Sequence, residues 1–349
     1  MLLPVCYFAL LMRGNKGSRD HRESAVRGSI RTISLLGIAV LLLWLAPLNR
    51  ETGGDFPKKQ ITWAVPFSPG GGYDTYSRAV ARSFQKYLPR RVSVVVKNVP
   101  GAGGRRGSAF LYRSKPDGYT VGMLNTIGLI ASDLVKAPTQ YDLTKFTYLA
   151  TCGRGIAGVY VSAQSGFDTI EDMQKAKKVR FATSGRGSGT WLWGMLVKGL
   201  LEVPVHMVSG YQGTSEYVAA LIRKDVDAFA IGFGSSLLPY CRAGEIKPIL
   251  LFSREPWELM PGAATLKGTP FEELEDFNND RVIAGPPGIP DEIRRILENS
   301  LLSALADPDL LAWSKKTMNP LYIKNADETA AGVKECVRLV EKYRSVFQE

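Results

Sequence analysis

The stretch Pro66-Phe67-Ser68-Pro69-Gly70-Gly71-Gly72-Tyr73-Asp74 constrains this chain more than any other, because of what stands on either side of it. Ile61 to Val65 is a short apolar run that reads as a buried strand. Thr75 to Leu88 places Tyr76, Ala79, Val80, Ser83, Phe84 and Tyr87 at helical spacing on one face. Strand, glycine turn and helix start follow in that order. Gly70, Gly71 and Gly72 leave backbone N–H groups uncovered by any Cβ, so an anion can approach them at the positive end of a helix. The same grammar recurs in Val179–Ala182, then Thr183-Ser184-Gly185-Arg186-Gly187-Ser188-Gly189-Thr190, then Trp191–Leu201. Two such junctions predict one ligand held between two lobes.

The rest of the chain alternates in the same way. Val92–Val96 is a strand, Asn98–Gly104 a turn into a short helix ending near Arg113, Lys115–Gly118 a turn and Tyr119–Leu124 a third strand. This βαβαβ succession implies parallel pairing. Phe146–Ala150 and Gly158–Ser162 read as strands around a crossing into a second lobe. There follow a helix near Thr169–Lys175, a strand at Val205–Val208, a helix at Ser215–Arg223 and a strand at Ala228–Ile231, and Lys247–Phe252 carries the chain back. Pro256 to Asn279 is loop-rich and Arg281–Ala284 is another strand. Pro290 stands at or near the first turn of a helix whose inner stripe is Ile293, Ile296, Leu297 and Leu301, and a last helix carries Val333, Val337, Val340 and Phe347. The expected class is α/β, with two lobes, each a sheet flanked by helices, joined by a hinge of two crossing segments. Residues 55–152 with 253–349 would form one lobe and 153–252 the other.

Composition sets the outer limits. A chain of 349 residues, 45% hydrophobic and 22% charged, is long enough for two ordinary domains. A mean hydropathy of -0.05 argues against a polytopic membrane protein. Ile33 to Leu48 is apolar apart from Ser34 and follows Arg22, Arg27 and Arg31, which is the pattern of a secretory signal or an uncleaved N-terminal anchor. Residues 1–54 are therefore set aside from the fold and place the remainder outside the cytoplasm. Of the net charge of +11, +5 belongs to the first fifty residues. The rest is spread without a basic run, so a nucleic-acid partner is unsupported.

Most catalytic chemistries lack their residues. Gly101 to Gly107 fails as a dinucleotide fingerprint, because Arg106 stands where the last glycine belongs. There is no phosphate-binding P-loop and no nucleophile elbow around Ser184 or Ser188. Cys6, Cys152, Cys241 and Cys336 show no paired spacing, and His21 and His206 are the only histidines, so neither a metal centre nor a disulfide framework is indicated. No cofactor is expected, and the chain does not read as an enzyme.

Three motifs then stand together: Val65-Pro66-Phe67-Ser68-Pro69-Gly70-Gly71-Gly72-x-Asp74, Asn98-x-Pro100-Gly101-Ala102-Gly103-Gly104, and Pro116-Asp117-Gly118-Tyr119-Thr120. Later come Ser184-Gly185-x-Gly187-Ser188, Tyr211-x-Gly213-Thr214, Ala243-Gly244-Glu245-Ile246-Lys247-Pro248 and Ala284-Gly285-Pro286-Pro287-Gly288-Ile289-Pro290. In this order they resemble the Bug-type receptors, the extracytoplasmic solute-binding proteins of tripartite tricarboxylate transporters, from about residue 58 onward. The resemblance implies a type II-like periplasmic binding protein fold. It also implies capture of a small organic carboxylate and delivery to the transporter's membrane subunits by a monomer. A ligand-sensing receptor of the same fold that signals to a membrane kinase is the alternative.

The candidate ligand-binding residues are Phe67, Ser68, Pro69, Gly70, Gly71, Gly72, Tyr73, Asp74 and Thr126 in the first lobe. In the second they are Ser184, Arg186, Gly187, Ser188, Thr190, Tyr211, Gly213 and Phe233. Backbone N–H groups of the first loop would hold one carboxylate, and hydroxyls of the second would meet another group of the ligand. Each has a plainer role open to it. The glycines make a turn, Asp74 caps or braces the helix start, Asn98–Gly104 is turn chemistry, and Arg186 either pairs a carboxylate or sits in solvent. The family often carries Asp or Asn after the strand at Ala228–Ile231, where this chain has Gly232-Phe233-Gly234-Ser235-Ser236. Phe233 with Trp191 or Trp193 would suit a ligand with an apolar body.

Overall fold

The computed structural model describes residues 55–348 apart from 138, 212 and 278. The signal or anchor expected before residue 55 lies outside the described residues. Among those described, no helix is long and apolar enough to cross a membrane.

The chain opens with strand β1 (Ile61–Val65), helix α1 (Gly72–Tyr87), strand β2 (Val94–Asn98), helix α2 (Arg105–Tyr112), strand β3 (Thr120–Leu124), helix α3 (Thr126–Leu134) and strand β4 (Thr147–Gly155). Next come β5 (Ala157–Ser162), α4 (Ile170–Gln174), β6 (Val179–Thr183), α5 (Gly189–Leu200), β7 (Val205–Ser209), α6 (Thr214–Ile222), β8 (Ala228–Gly232), α7 (Leu238–Arg242) and β9 (Ile246–Leu251). The return is β10 (Asn279–Gly285), α8 (Asp291–Leu305), α9 (Pro308–Thr317), β11 (Leu321–Lys324) and α10 (Ala326–Lys342), with a closing turn at Arg344–Phe347.

These strands form two sheets and hence two lobes. The first runs β11-β4-β10-β3-β1-β2 and the second β7-β6-β8-β5-β9. β1 pairs in parallel with β2 and β3, as the βαβαβ pattern requires, while β10 enters antiparallel between β3 and β4. In the second sheet β6 is parallel to β7 and β8, and β5 is antiparallel to β8 and β9. Only Ile156 separates β4 of the first sheet from β5 of the second, and the chain returns between β9 and β10. At this hinge Asn279 pairs with Gly155, and the β4–β10 register slips between Asp280 and Val282. A slip of this kind leaves Arg281 outside regular pairing and re-aims its side chain.

Local chemistry sets the element ends. Thr169 with Asp172, and Asn325 with Glu328, form capping boxes at α4 and α10. Asp307 caps α9 in front of Pro308. Pro290 is itself the N-cap of α8. Trp63, Val80, Phe84, Ile283, Leu297 and Leu301 fill one core of the first lobe. Tyr160, Tyr217, Phe229 and Phe233 belong to a core of the second. A third cluster joins Ile127 and Ile130 of α3 to Trp191 and Met195 of α5 and to Leu339 and Phe347, so apolar packing continues from one lobe into the other. The closing turn seals this junction: Phe347 lies 6.2 Å from Trp191, ring centre to ring centre. A methyl group at Gly199 would meet Val346 at 2.6 Å.

Candidate functional site

The glycine loop between β1 and α1 is held open by one carboxylate. Asp74 is 3% exposed; its Oδ2 accepts from Gly70 N and Arg78 Nε, both at 2.9 Å, and its Oδ1 from Asn98 Nδ2 at 2.9 Å. Asn98 also donates to Phe67 O at 2.9 Å. Burial alone would raise the Asp74 pKa, yet the hydrogen bonds from Arg78, Gly70 and Asn98 hold it below the ordinary carboxylate value. Asp74 is thus the brace of the loop, not its cap: Gly71 is the N-cap of α1 and no side chain caps it. Because Gly70 donates its N–H to Asp74, the N–H groups left without a side-chain cap are those further along, at the start of α1. Gly70 has φ +86°, a left-handed turn that suits glycine. Ser68, Pro69, Gly70 and Gly71 are exposed, whereas Phe67 and Gly72 are half-buried.

Tyr73 turns inward. Its hydroxyl lies 2.5 Å from Asn279 Oδ1 and 3.2 Å from Asn125 Oδ1, and its ring lies 4.8 Å from that of Phe67. Asn125 is the N-cap of α3, so the first loop is tied to the helix that begins with the buried Thr126. The second loop rests on that same helix. Ser132 Oγ donates to Gly187 O at 3.0 Å, and a methyl group at Gly187 would strike Val135 at 2.6 Å. The two loops therefore meet through Asn125 and α3.

The hydroxyls of the second loop mostly satisfy one another. Thr183 Oγ1 lies 3.2 Å from Ser188 Oγ and 3.0 Å from Thr190 Oγ1, while Ser188 caps α5 at Trp191 N. Ser184 Oγ reaches Tyr217 OH at 2.9 Å and stays exposed. Arg186 is exposed. Tyr211 and Gly213 are half-buried before α6, with the Tyr211 ring 5.9 Å from Tyr217.

The aromatic wall expected of the cleft is absent. Phe233 is 3% exposed and stands edge-on to Trp257 with ring centres 4.5 Å apart, facing its own core. Trp191 and Trp193 are 3% and 2% exposed, one packed on Phe347 and the other donating from Nε1 to Phe277 O at 3.3 Å. These large rings gain more from burial between the lobes than from lining a polar cleft.

Arg281 is the residue the sequence reading missed. It is 3% exposed and stacks on the Tyr73 ring at 4.3 Å, and its guanidinium donates from Nη1 to Asn279 O at 3.1 Å, with the Tyr73 side chain as a further polar neighbour. Its Nε is buried without an acceptor. A lone arginine before the apolar run Val282-Ile283-Ala284 was the available signal. Among the described residues there is no cluster of groups fit to hold a metal ion. Cys152, Cys241 and Cys336 are free thiols.

Comparison with known proteins agrees with this architecture. Residues 76–342 match the "Tripartite tricarboxylate transporter family receptor" family. A UPF0065 protein from the tcbD-tcbE intergenic region of a Pseudomonas species is 27% identical over 302 residues, covering 84% of this chain and 86% of that one. The structure of the periplasmic binding protein BugD superposes with a TM-score of 0.71 at 23% identity, covering 83% of this chain and 98% of the other. An R. palustris protein solved with adipate gives a TM-score of 0.71 at 22% identity, covering 84% and 98%. With most of its length matched, and with the glycine-loop motifs placed where two lobes meet, this chain belongs to the Bug-type receptor family of the tripartite tricarboxylate transporters.

Proposed function

We propose that this protein is an extracytoplasmic receptor that captures a small organic carboxylate between its lobes and hands it to the membrane subunits of a tripartite transporter. The observation that carries this reading is the uncapped start of α1, held in an exposed glycine loop by Asp74 and Asn98 and tied through Asn125 to the helix on which the second lobe rests. Unbonded N–H groups at the positive end of a helix attract a carboxylate without any change in loop shape. The adipate held by the R. palustris protein of the same fold supports this ligand class. The lobe built on the first sheet would then close on the lobe built on the second, burying the acid and strengthening each polar contact.

Native mass spectrometry of the purified protein, followed by thermal-shift measurement against organic acids, tests the proposal. A bound acid, or an acid that raises Tm in proportion to the logarithm of its concentration, is expected. A protein that binds no acid, or turns one over, would overturn it.

A further inference from the structure

A guanidinium brings a full positive charge and five N–H donors, and taking it out of water is costly unless acceptors replace the solvent. Arg281 has been taken out of water almost completely, at 3% exposure; among the described residues its guanidinium meets Asn279 O and the Tyr73 side chain but no carboxylate, and its Nε is without an acceptor. The carboxylates that could neutralise it are committed elsewhere. Asp280, its chain neighbour, pairs with Arg154 at 2.7 and 3.1 Å. Asp74, on the first turn of α1, serves Gly70, Arg78 and Asn98. Ring faces compensate in part, Tyr73 at 4.3 Å and Tyr76 at 5.7 Å from the guanidinium carbon, but they accept no classical hydrogen bond.

The free side of the group points to the ligand loop. A methyl group at Gly72 would lie 3.4 Å from Arg281 Nη2, so this nitrogen sits beside the uncapped start of α1. A methyl group at Gly155 would also lie 3.4 Å from Nη2, and would lie 2.7 Å from Phe233 O of the second lobe. The start of α1, the first crossing and the edge of the second lobe therefore converge on one unneutralised cation.

We propose that Arg281 receives the ligand's carboxylate, so that the anion is held between the start of α1 and a guanidinium supplied by the strand at the hinge. This rests on the receptor reading above. It adds that the site carries a full cation, that it selects the ionised acid over its neutral derivatives, and that the cation sits where the two lobes are joined. A carboxylate bridging Arg281 and Gly72 draws the crossing strand and the ligand loop to one point, which couples occupancy to the lobe arrangement.

The test compares wild type with Arg281→Met and Arg281→Lys. Each is titrated by thermal shift and calorimetry with straight-chain mono- and dicarboxylates, adipate among them, each beside its uncharged amide. Wild type is expected to bind an acid and to reject its amide. Arg281→Met is expected to lose about thirtyfold or more of that affinity and most of the acid-over-amide preference. Its ligand-free Tm should be unchanged or higher, since an unneutralised buried charge has been removed. Arg281→Lys is expected to keep the preference at reduced affinity, and it carries the test should the Met variant not fold. If no acid binds wild type, the receptor reading fails and takes this inference with it. If wild type binds an acid and both variants bind it equally well, or if Arg281→Met lowers the ligand-free Tm while leaving affinity intact, Arg281 is a structural residue and only this inference is overturned.

Discussion

At the scale of single residues, Asp74 shows how one side chain decides whether a glycine loop is a site or merely a turn. Replacing it with Asn removes the charge that gathers Gly70, Arg78 and Asn98, and sets an amide against the Asn98 amide. A loss of about 1–3 kcal/mol is expected in chemical denaturation, with weaker acid binding. The pH dependence follows from the depressed pKa of Asp74. Its contribution is full above the unfolded carboxylate value of about 4 and is lost as pH falls through the lower folded value. Wild type should therefore lose stability below about pH 4 more steeply than Asp74→Asn, and equal slopes would remove Asp74 from this role. The importance of Asp74 was legible in the motif, but its partners were not. A sequence shows that an aspartate follows three glycines, whereas the choice between cap and brace depends on Asn98 arriving from β2. Arg281 was illegible for a related reason: whether a strand arginine is buried unpaired depends on which carboxylates the fold assigns to other groups.

At the scale of elements, the hinge is built where there is no room for side chains. A methyl group at Gly232 would lie 2.5 Å from Asn279 Cβ and 3.0 Å from Gly155 O. Gly232→Ala should therefore cost about 1–3 kcal/mol by overpacking and push the crossing strands apart, which a denaturation curve with small-angle scattering would register. Unchanged stability would mean that the crossings slide freely. The contact between Ser132 Oγ and Gly187 O is an element-level tie as well. Ser132→Ala should disfavour this lobe arrangement by about 1 kcal/mol, seen as a larger radius of gyration in the ligand-free protein. The strands and the long amphipathic helices were readable because their apolar periods match their geometry. Helix α3 was not, although Thr126 was singled out. Thr126-Ile127-Gly128-Leu129-Ile130-Ala131-Ser132 is buried on every side between the lobes and carries no polar face.

At the scale of the molecule, the first lobe is discontinuous and the second is finished by a segment far from it in sequence. Val346 and Phe347 follow a helix of the first lobe but rest on Gly199 and Trp191 of α5. Phe347→Ala should cost about 3–5 kcal/mol and shift Trp191 fluorescence to longer wavelength. An unshifted spectrum would show that the closing turn does not cover that ring.

That closing turn also bears on how the protein is made. Until Phe347 has been synthesised, the Trp191 ring of the second lobe lacks this contact. The Trp191 ring thus gains its last apolar cover only once the chain has been made as far as Phe347, so the second lobe is sealed by residues that follow the first lobe's last helix.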